Sequence, residues 1–320
     1  MNKAKLTESR VVFAVIGLVL TLTLSTACTQ APFKTAITTP QEIPSSSPPP
    51  LPTTTVVSIT KDIVYATSLG EDGATRAKWE LDVYSSQEAG EWPTAVLIHG
   101  YGPNKEGYIR ASETMAASGA IVYTVNWPAM VVDMAARDNG RGYREISETL
   151  NCAIHFARAT AAEYGGNPGR VTLIAHSWGT LYGAWFALAS ESLDAKWEEY
   201  AANGDGPPTQ VECEMVSDSA RVDAFIGIGG GRYQSAEKLQ DRNPELWEIV
   251  SPFSHLGENL DLAIALLHGN RDNLASSESS QEFNRVLLQA GYDSRVILFD
   301  GGHVVPAEIT SEALMELASK

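Results

Sequence analysis

From residue 56 to the end of the chain, short β-branched apolar runs alternate with amphipathic stretches of helical length, and that alternation limits the fold more than any other feature. Strands are expected at 63–67, 79–84, 95–99, 120–125, 171–175, 224–228, 263–268 and 295–299. The first two leave no room for a crossover helix. From the third onward each gap holds a helical pattern, at 108–117, 143–164, 181–190, 244–250 and 277–290, with 308–318 closing the chain. Strands that alternate with helices imply a mostly parallel sheet covered on both faces, here eight-stranded, and the continuous apolar run Ala95-Val96-Leu97-Ile98 suits such burial. The stretch 194–218, with Gly204, Gly206, Pro207 and Pro208, is too polar and broken for core and reads as a small excursion over the carboxyl edge of the sheet.

The first 55 residues read as something other than fold. Lys3, Lys5 and Arg10 precede 17 uncharged, mostly apolar residues from Val11 to Ala27, the layout of a secretory signal over 1–27. The Ser25-Thr26-Ala27-Cys28 end resembles a bacterial lipoprotein signal, which would make Cys28 the lipidated first residue of the mature chain. Ser25-x-Ala27 would also serve ordinary signal peptidase, and an uncleaved anchor is a third alternative. All three place the domain outside the cytoplasm. Between Thr29 and Thr55 there are seven Pro and ten Ser or Thr, so 28–55 cannot repay its ordering entropy by burial and is expected to be a stalk.

Composition removes several function classes. The 320 residues carry 39 Asp and Glu against 23 Lys and Arg, a net charge of −16, which argues against a nucleic-acid partner. Without the first 55 residues, 19 basic side chains face 37 acidic ones, so the domain at 56–320 would be repelled by anionic lipid. Membrane contact is therefore expected through the N-terminal lipid anchor or the uncleaved signal. Three Cys without a Cys-x-x-Cys pair, and no His-Glu-x-x-His, signal neither zinc nor a disulfide-dense scaffold. Cys152 and Cys213 could pair in an oxidising compartment, a point left open at this level.

In a sheet of this kind reactive groups sit at strand ends. After the fifth strand, Ala175-His176-Ser177-Trp178-Gly179 forms a small-x-Ser-x-Gly elbow leading into a helix. Flanking residues must be small because strand and helix approach closely at so tight a turn. A serine needs a base and a group to orient that base. Of six His, His303 follows the last strand through Asp300-Gly301-Gly302, and Asp272 lies four residues beyond the seventh. Asp300 is a competing carboxylate. His155 lies mid-helix and His255 in a connection, while His99, His176 and His268 lie at or beside strand ends and can serve local hydrogen bonds. The chain order Ser177, Asp272, His303 is that of a serine hydrolase of this topology. For the oxyanion hole, the donors expected are the backbone N–H of Trp178 and that of Tyr101, with Gly102 as second choice because Pro103 cannot donate. Trp127, Trp178 and Tyr101 are expected near the nucleophile as substrate-binding side chains, and Trp185 in the core.

These motifs resemble the α/β-hydrolase fold superfamily, and within it the serine carboxylesterases and dienelactone-hydrolase-like enzymes. Also similar are Glu163-Tyr164-Gly165-Gly166-Asn167-Pro168-Gly169-Arg170-Val171, Ser251-Pro252-Phe253-Ser254, His268-Gly269-Asn270-Arg271-Asp272 and His99-Gly100-Tyr101-Gly102. Ala175 stands where Gly is commoner, and Tyr101 breaks the longer glycine string of many relatives. The resemblance covers about 60–320 and implies hydrolysis of small-molecule carboxylic esters through an acyl-enzyme, with no cofactor and no metal. Small to medium acyl esters are expected. The alternatives are a lipase acting on long-chain lipid esters and a non-catalytic, surface-tethered binding scaffold.

Overall fold

A computed structural model of the protein describes residues 56–320 apart from positions 71, 87–89, 103, 130–139, 205–207, 209, 232 and 234–236. The expected signal, Cys28 and the stalk lie outside the described residues, as does Pro103. The strands are β1 (Val57–Leu69), β2 (Thr75–Ser86), β3 (Trp92–Ile98), β4 (Ile121–Val125), β5 (Gly166–His176), β6 (Val211–Cys213), β7 (Ala224–Ile228), β8 (Ala263–Gly269) and β9 (Asp293–Phe299). The helices of seven residues or more are α1 (Ile109–Ala117), α2 (Arg141–Thr160), α3 (Gly179–Ala189), α4 (Leu193–Ala202), α5 (Pro244–Val250), α6 (Ser277–Gln289) and α7 (Ala307–Ala318).

The sheet runs β6-β1-β2-β4-β3-β5-β7-β8-β9. From β4 to β9 every pairing is parallel, while β6, β1 and β2 are antiparallel to their neighbours. Side chains alternate across it. Val96, Ile98, Leu173 and Ala175 face a core shared with α2, α3 and α6, whereas Ala95, Leu97 and Ile174 face α1 and α7. Every residue of α3 is buried, which accounts for a helix apolar all round.

The sheet among the described residues has nine strands rather than eight, and the difference lies in the stretch expected to be a polar excursion. Its first part is α4, with Leu193, Trp197 and Tyr200 buried. Trp197 donates its indole N–H to Ser147 Oγ on α2 at 2.8 Å. Its last part is β6, which pairs with Ala66–Ser68 of β1. Three large side chains spaced along one short helix are enough to pack it, whatever the average polarity around them. The structure also joins Cys152 on α2 to Cys213 on β6 by a disulfide, with Cα atoms 5.0 Å apart.

Candidate active site

The turn that carries Ser177 is strained. Ser177 sits between β5 and α3 with φ of 53°, a left-handed conformation costing about 1–3 kcal/mol for a residue with a side chain. The turn is held by the Ser177 N–H donating to the Ile228 carbonyl of β7 at 2.7 Å. A Cβ on Gly179 would lie 2.6 Å from the His99 carbonyl oxygen, so only glycine lets α3 start this close to β3. The structure also shows how Ala175 is tolerated. A Cβ on Gly183, one turn into α3, would lie 2.8 Å from the Ala175 methyl, so the missing side chain is on the helix instead of the strand.

Three side chains from separate strand ends meet here. His303 Nε2 lies 2.7 Å from Ser177 Oγ, and His303 Nδ1 lies 2.7 Å from Asp272 Oδ2. A carboxylate opposite Nδ1 requires Nδ1–H, which leaves Nε2 bare to accept the serine proton. The Asp272 side chain is fully buried, and its other oxygen accepts the Leu274 and Ala275 N–H groups at 2.8 and 3.0 Å. Burial pushes its pKa up. The Ala275 N–H, the His303 hydrogen bond and the Leu274 N–H outweigh that and hold it below the usual carboxylate range. Asp300, the competitor, is exposed and pairs with Arg271 at 3.0 Å.

His268 adds a fourth donor to Asp272. Its Nε2 faces the Ala275 carbonyl at 3.0 Å and Asp272 Oδ2 at 3.2 Å, and two acceptors at one nitrogen require an N–H there. The sequence showed a histidine near the end of β8 but not where its ring pointed. Tyr108 was legible only as the start of a helical pattern, yet its hydroxyl lies 2.6 Å from His176 Nδ1.

Beside Ser177 lies a cavity of about 690 Å³, lined among others by Tyr101, Trp178, Leu274, Ser276 and Ser279. Among the described residues, neither the Tyr101 nor the Trp178 backbone N–H has an acceptor. Tyr101 and Trp178 meet edge-on with ring centroids 6.4 Å apart, and Tyr101 and Leu274 are exposed at 57% and 77%, giving the mouth an apolar rim. Trp127 does not reach this cavity, contrary to the sequence expectation. It is 2% exposed, packs on His99 and Tyr182, and donates its indole N–H to the His99 carbonyl at 3.1 Å, so it supports the loop after β3 from behind. A large ring next to a strand end has two places to go, and here the core offered both a hydrogen-bond acceptor and aromatic neighbours.

The family model BD-FAE matches residues 81–287, well over half of the chain. The chain belongs to the BD-FAE family. The match runs from β2 into α6 and so takes in the elbow and Asp272, with His303 beyond it. A comparison of this BD-FAE chain with curated proteins found no match. Among solved structures it is similar to a thermophilic esterase from the planctomycete Thermogutta terrifontis, described with propionate bound: 19% identity, TM-score 0.54, covering 85% of this chain and 94% of that one. It is also similar to a bifunctional GH43-CE protein of Bacteroides eggerthii (16% identity, TM-score 0.56, 81% of this chain and 38% of that one). A truncated carbohydrate esterase from gut microbiota aligns at 17% identity and TM-score 0.55, over 83% of this chain and 98% of that one. At these identities the likeness shows the α/β-hydrolase fold of the BD-FAE chain.

Proposed function

We propose that this protein is a serine hydrolase that cleaves carboxylic esters of small to medium acyl groups through an acyl-enzyme, outside the cytoplasm. The observation that carries the reading is the unbroken chain from Ser177 through His303 to Asp272, with two 2.7 Å contacts, beside a cavity that Tyr101 and Trp178 help to line.

In this reading Ser177 Oγ attacks the ester carbonyl while His303 Nε2 takes its proton, and Asp272 stabilises the imidazolium that forms. The carbonyl oxygen gains negative charge and accepts from the Tyr101 and Trp178 N–H groups, each contributing about 2.7–4 kcal/mol to the transition state. His303 then gives its proton to the departing alcohol. Water, deprotonated by the same nitrogen, attacks the acyl carbon and releases the acid with Ser177 restored. The apolar rim suits an acyl group, and the buried aromatic side chains of α4 make that segment part of the core rather than a hydrophobic lid, which favours soluble esters over long-chain lipid. Export is supported by the basic-then-apolar N-terminus with Cys28 at its end, and by a disulfide suited to an oxidising compartment.

The test is fluorophosphonate labelling of the full chain with a series of p-nitrophenyl esters of increasing acyl length, for wild type and Ser177→Ala. Labelling and hydrolysis that both disappear in the variant support the reading, with rates expected to fall off for long acyl chains. A folded wild type that neither labels nor turns over any ester would end it. Radiolabelled fatty acid incorporated into the chain, and lost in Cys28→Ser, tests the lipid anchor.

A further inference from the structure

Three loops must be held in register for this chemistry, and they leave different strands. The loop with Tyr101 follows β3, the elbow follows β5, and the His303 loop follows β9, a strand four intervals from β3 in the sheet, and folds back to bring His303 to 2.7 Å from Ser177. One line of hydrogen bonds joins the loop after β3 to the loop after β9. The Gly100 N–H donates to the Tyr108 hydroxyl at 3.0 Å. That hydroxyl lies 2.6 Å from His176 Nδ1, and His176 Nε2 lies 3.2 Å from the backbone carbonyl of His303.

Proton positions along this line follow from valence. The His303 carbonyl can only accept, so His176 Nε2 carries the hydrogen. Tyr108 already accepts from Gly100, and its single hydrogen has an acceptor only if His176 Nδ1 is bare. Each group then has one role, and the opposite tautomer would set a lone pair against the His303 carbonyl. Burial pushes His176 down to about 4, so the ring is neutral near neutral pH, and burial pushes Tyr108 up to about 12, so the phenol keeps its proton.

We propose that Tyr108 and His176 are positioning residues that tie the oxyanion loop to the His303 loop, setting the Tyr101 N–H and the His303 ring against Ser177 together. This deepens the esterase reading above and rests on it. His176 lines the cavity with its ring centroid 5.0 Å from that of His303, and its two ring nitrogens are taken up by Tyr108 and the His303 carbonyl. Gly100 immediately precedes the Tyr101 donor, and His176 immediately precedes the nucleophile, so each arm of the bridge acts on the part of the site beside it.

The two arms separate by substitution, because an Asn amide oxygen takes the place of Nδ1 and a Gln amide nitrogen that of Nε2. His176→Asn keeps the acceptor for Tyr108 and loses the donor to His303; His176→Gln does the reverse. With p-nitrophenyl acetate, Tyr108→Phe is expected to lower kcat about tenfold with KM within twofold, since a misplaced oxyanion donor acts in the transition state only. Adding Tyr108→Phe to His176→Asn should cost the same again, and adding it to His176→Gln should cost nothing further. The NMR resonance of the His303 Nδ1 proton should move in His176→Asn and stay in Tyr108→Phe. A folded Tyr108→Phe with wild-type kcat, or equal losses in both backgrounds, would overturn the proposal. Should the His176 variants fail to fold, the kcat and KM of Tyr108→Phe alone decide. If Ser177→Ala and wild type are equally inactive, the esterase reading is what has failed, and the His303 proton resonance still tests the bridge.

Discussion

Asp272→Asn is the substitution whose outcome the surrounding donors dictate most fully. Asp272 Oδ1 accepts two backbone N–H groups at 2.8 and 3.0 Å, from Leu274 and Ala275. An asparagine must leave its oxygen there, because the flipped amide would set its NH2 against both donors at hydrogen-bond distance. Its NH2 then points at His303 Nδ1 from 2.7 Å and forces Nδ1 to accept. The ring proton moves to Nε2 and faces Ser177 Oγ, so the base is lost although every heavy atom stays in place. The same substitution in a serine protease lowers kcat by about 10⁴, near 5.5 kcal/mol at 1.36 kcal/mol per decade. His268 works against this orientation, since its Nε2–H then meets an NH2 where it met a carboxylate at 3.2 Å, but that one donor is outnumbered by the two backbone N–H groups. The assay is kcat on a p-nitrophenyl ester with the fluorophosphonate labelling rate alongside, on protein whose melting temperature has been checked. A kcat within tenfold of wild type would refute the tautomer argument and with it the assignment of Asp272.

Gly183→Ala should lower stability by about 1–3 kcal/mol, because its Cβ would lie 2.8 Å from the Ala175 methyl and 3.0 Å from the Phe225 ring; adding Ala175→Gly should return part of the loss in urea unfolding. Replacing Cys152 and Cys213 together with Ser removes a cross-link spanning 61 residues, worth up to about 4 kcal/mol by loop-closure entropy, and the fall should appear in the urea midpoint without reductant. Stability should fall as pH drops from 6.5 towards 4. The folded pKa of His176 lies near 4 against an ordinary 6.5, so the unfolded chain takes the proton first, stability is complete above about pH 6.5, and about 3 kcal/mol is lost by pH 4. His176→Gln should flatten that slope in urea titrations at successive pH values; an unchanged slope would assign the loss to other buried histidines such as His255.

The sequence by itself determined the elements and the chemistry they carry at their ends. Strand and helix periods are local properties of the chain, so the alternating pattern could be read without knowing which strands are neighbours. The Ser177 elbow was legible for the same reason: Ala175 and Gly179 report on crowding within five residues. The chain order of Ser177, Asp272 and His303 then followed from topology. Only the tertiary structure decided what depends on direction and distance across the sheet. It turned Trp127 inward onto the His99 carbonyl, drew α4 and β6 into the fold, closed the Cys152–Cys213 bond, chose Asp272 over Asp300, and aimed His268 and the Tyr108–His176 pair at the site. These contacts join residues brought together by packing, and a side chain's choice between core, solvent and partner is settled by what the rest of the chain places beside it.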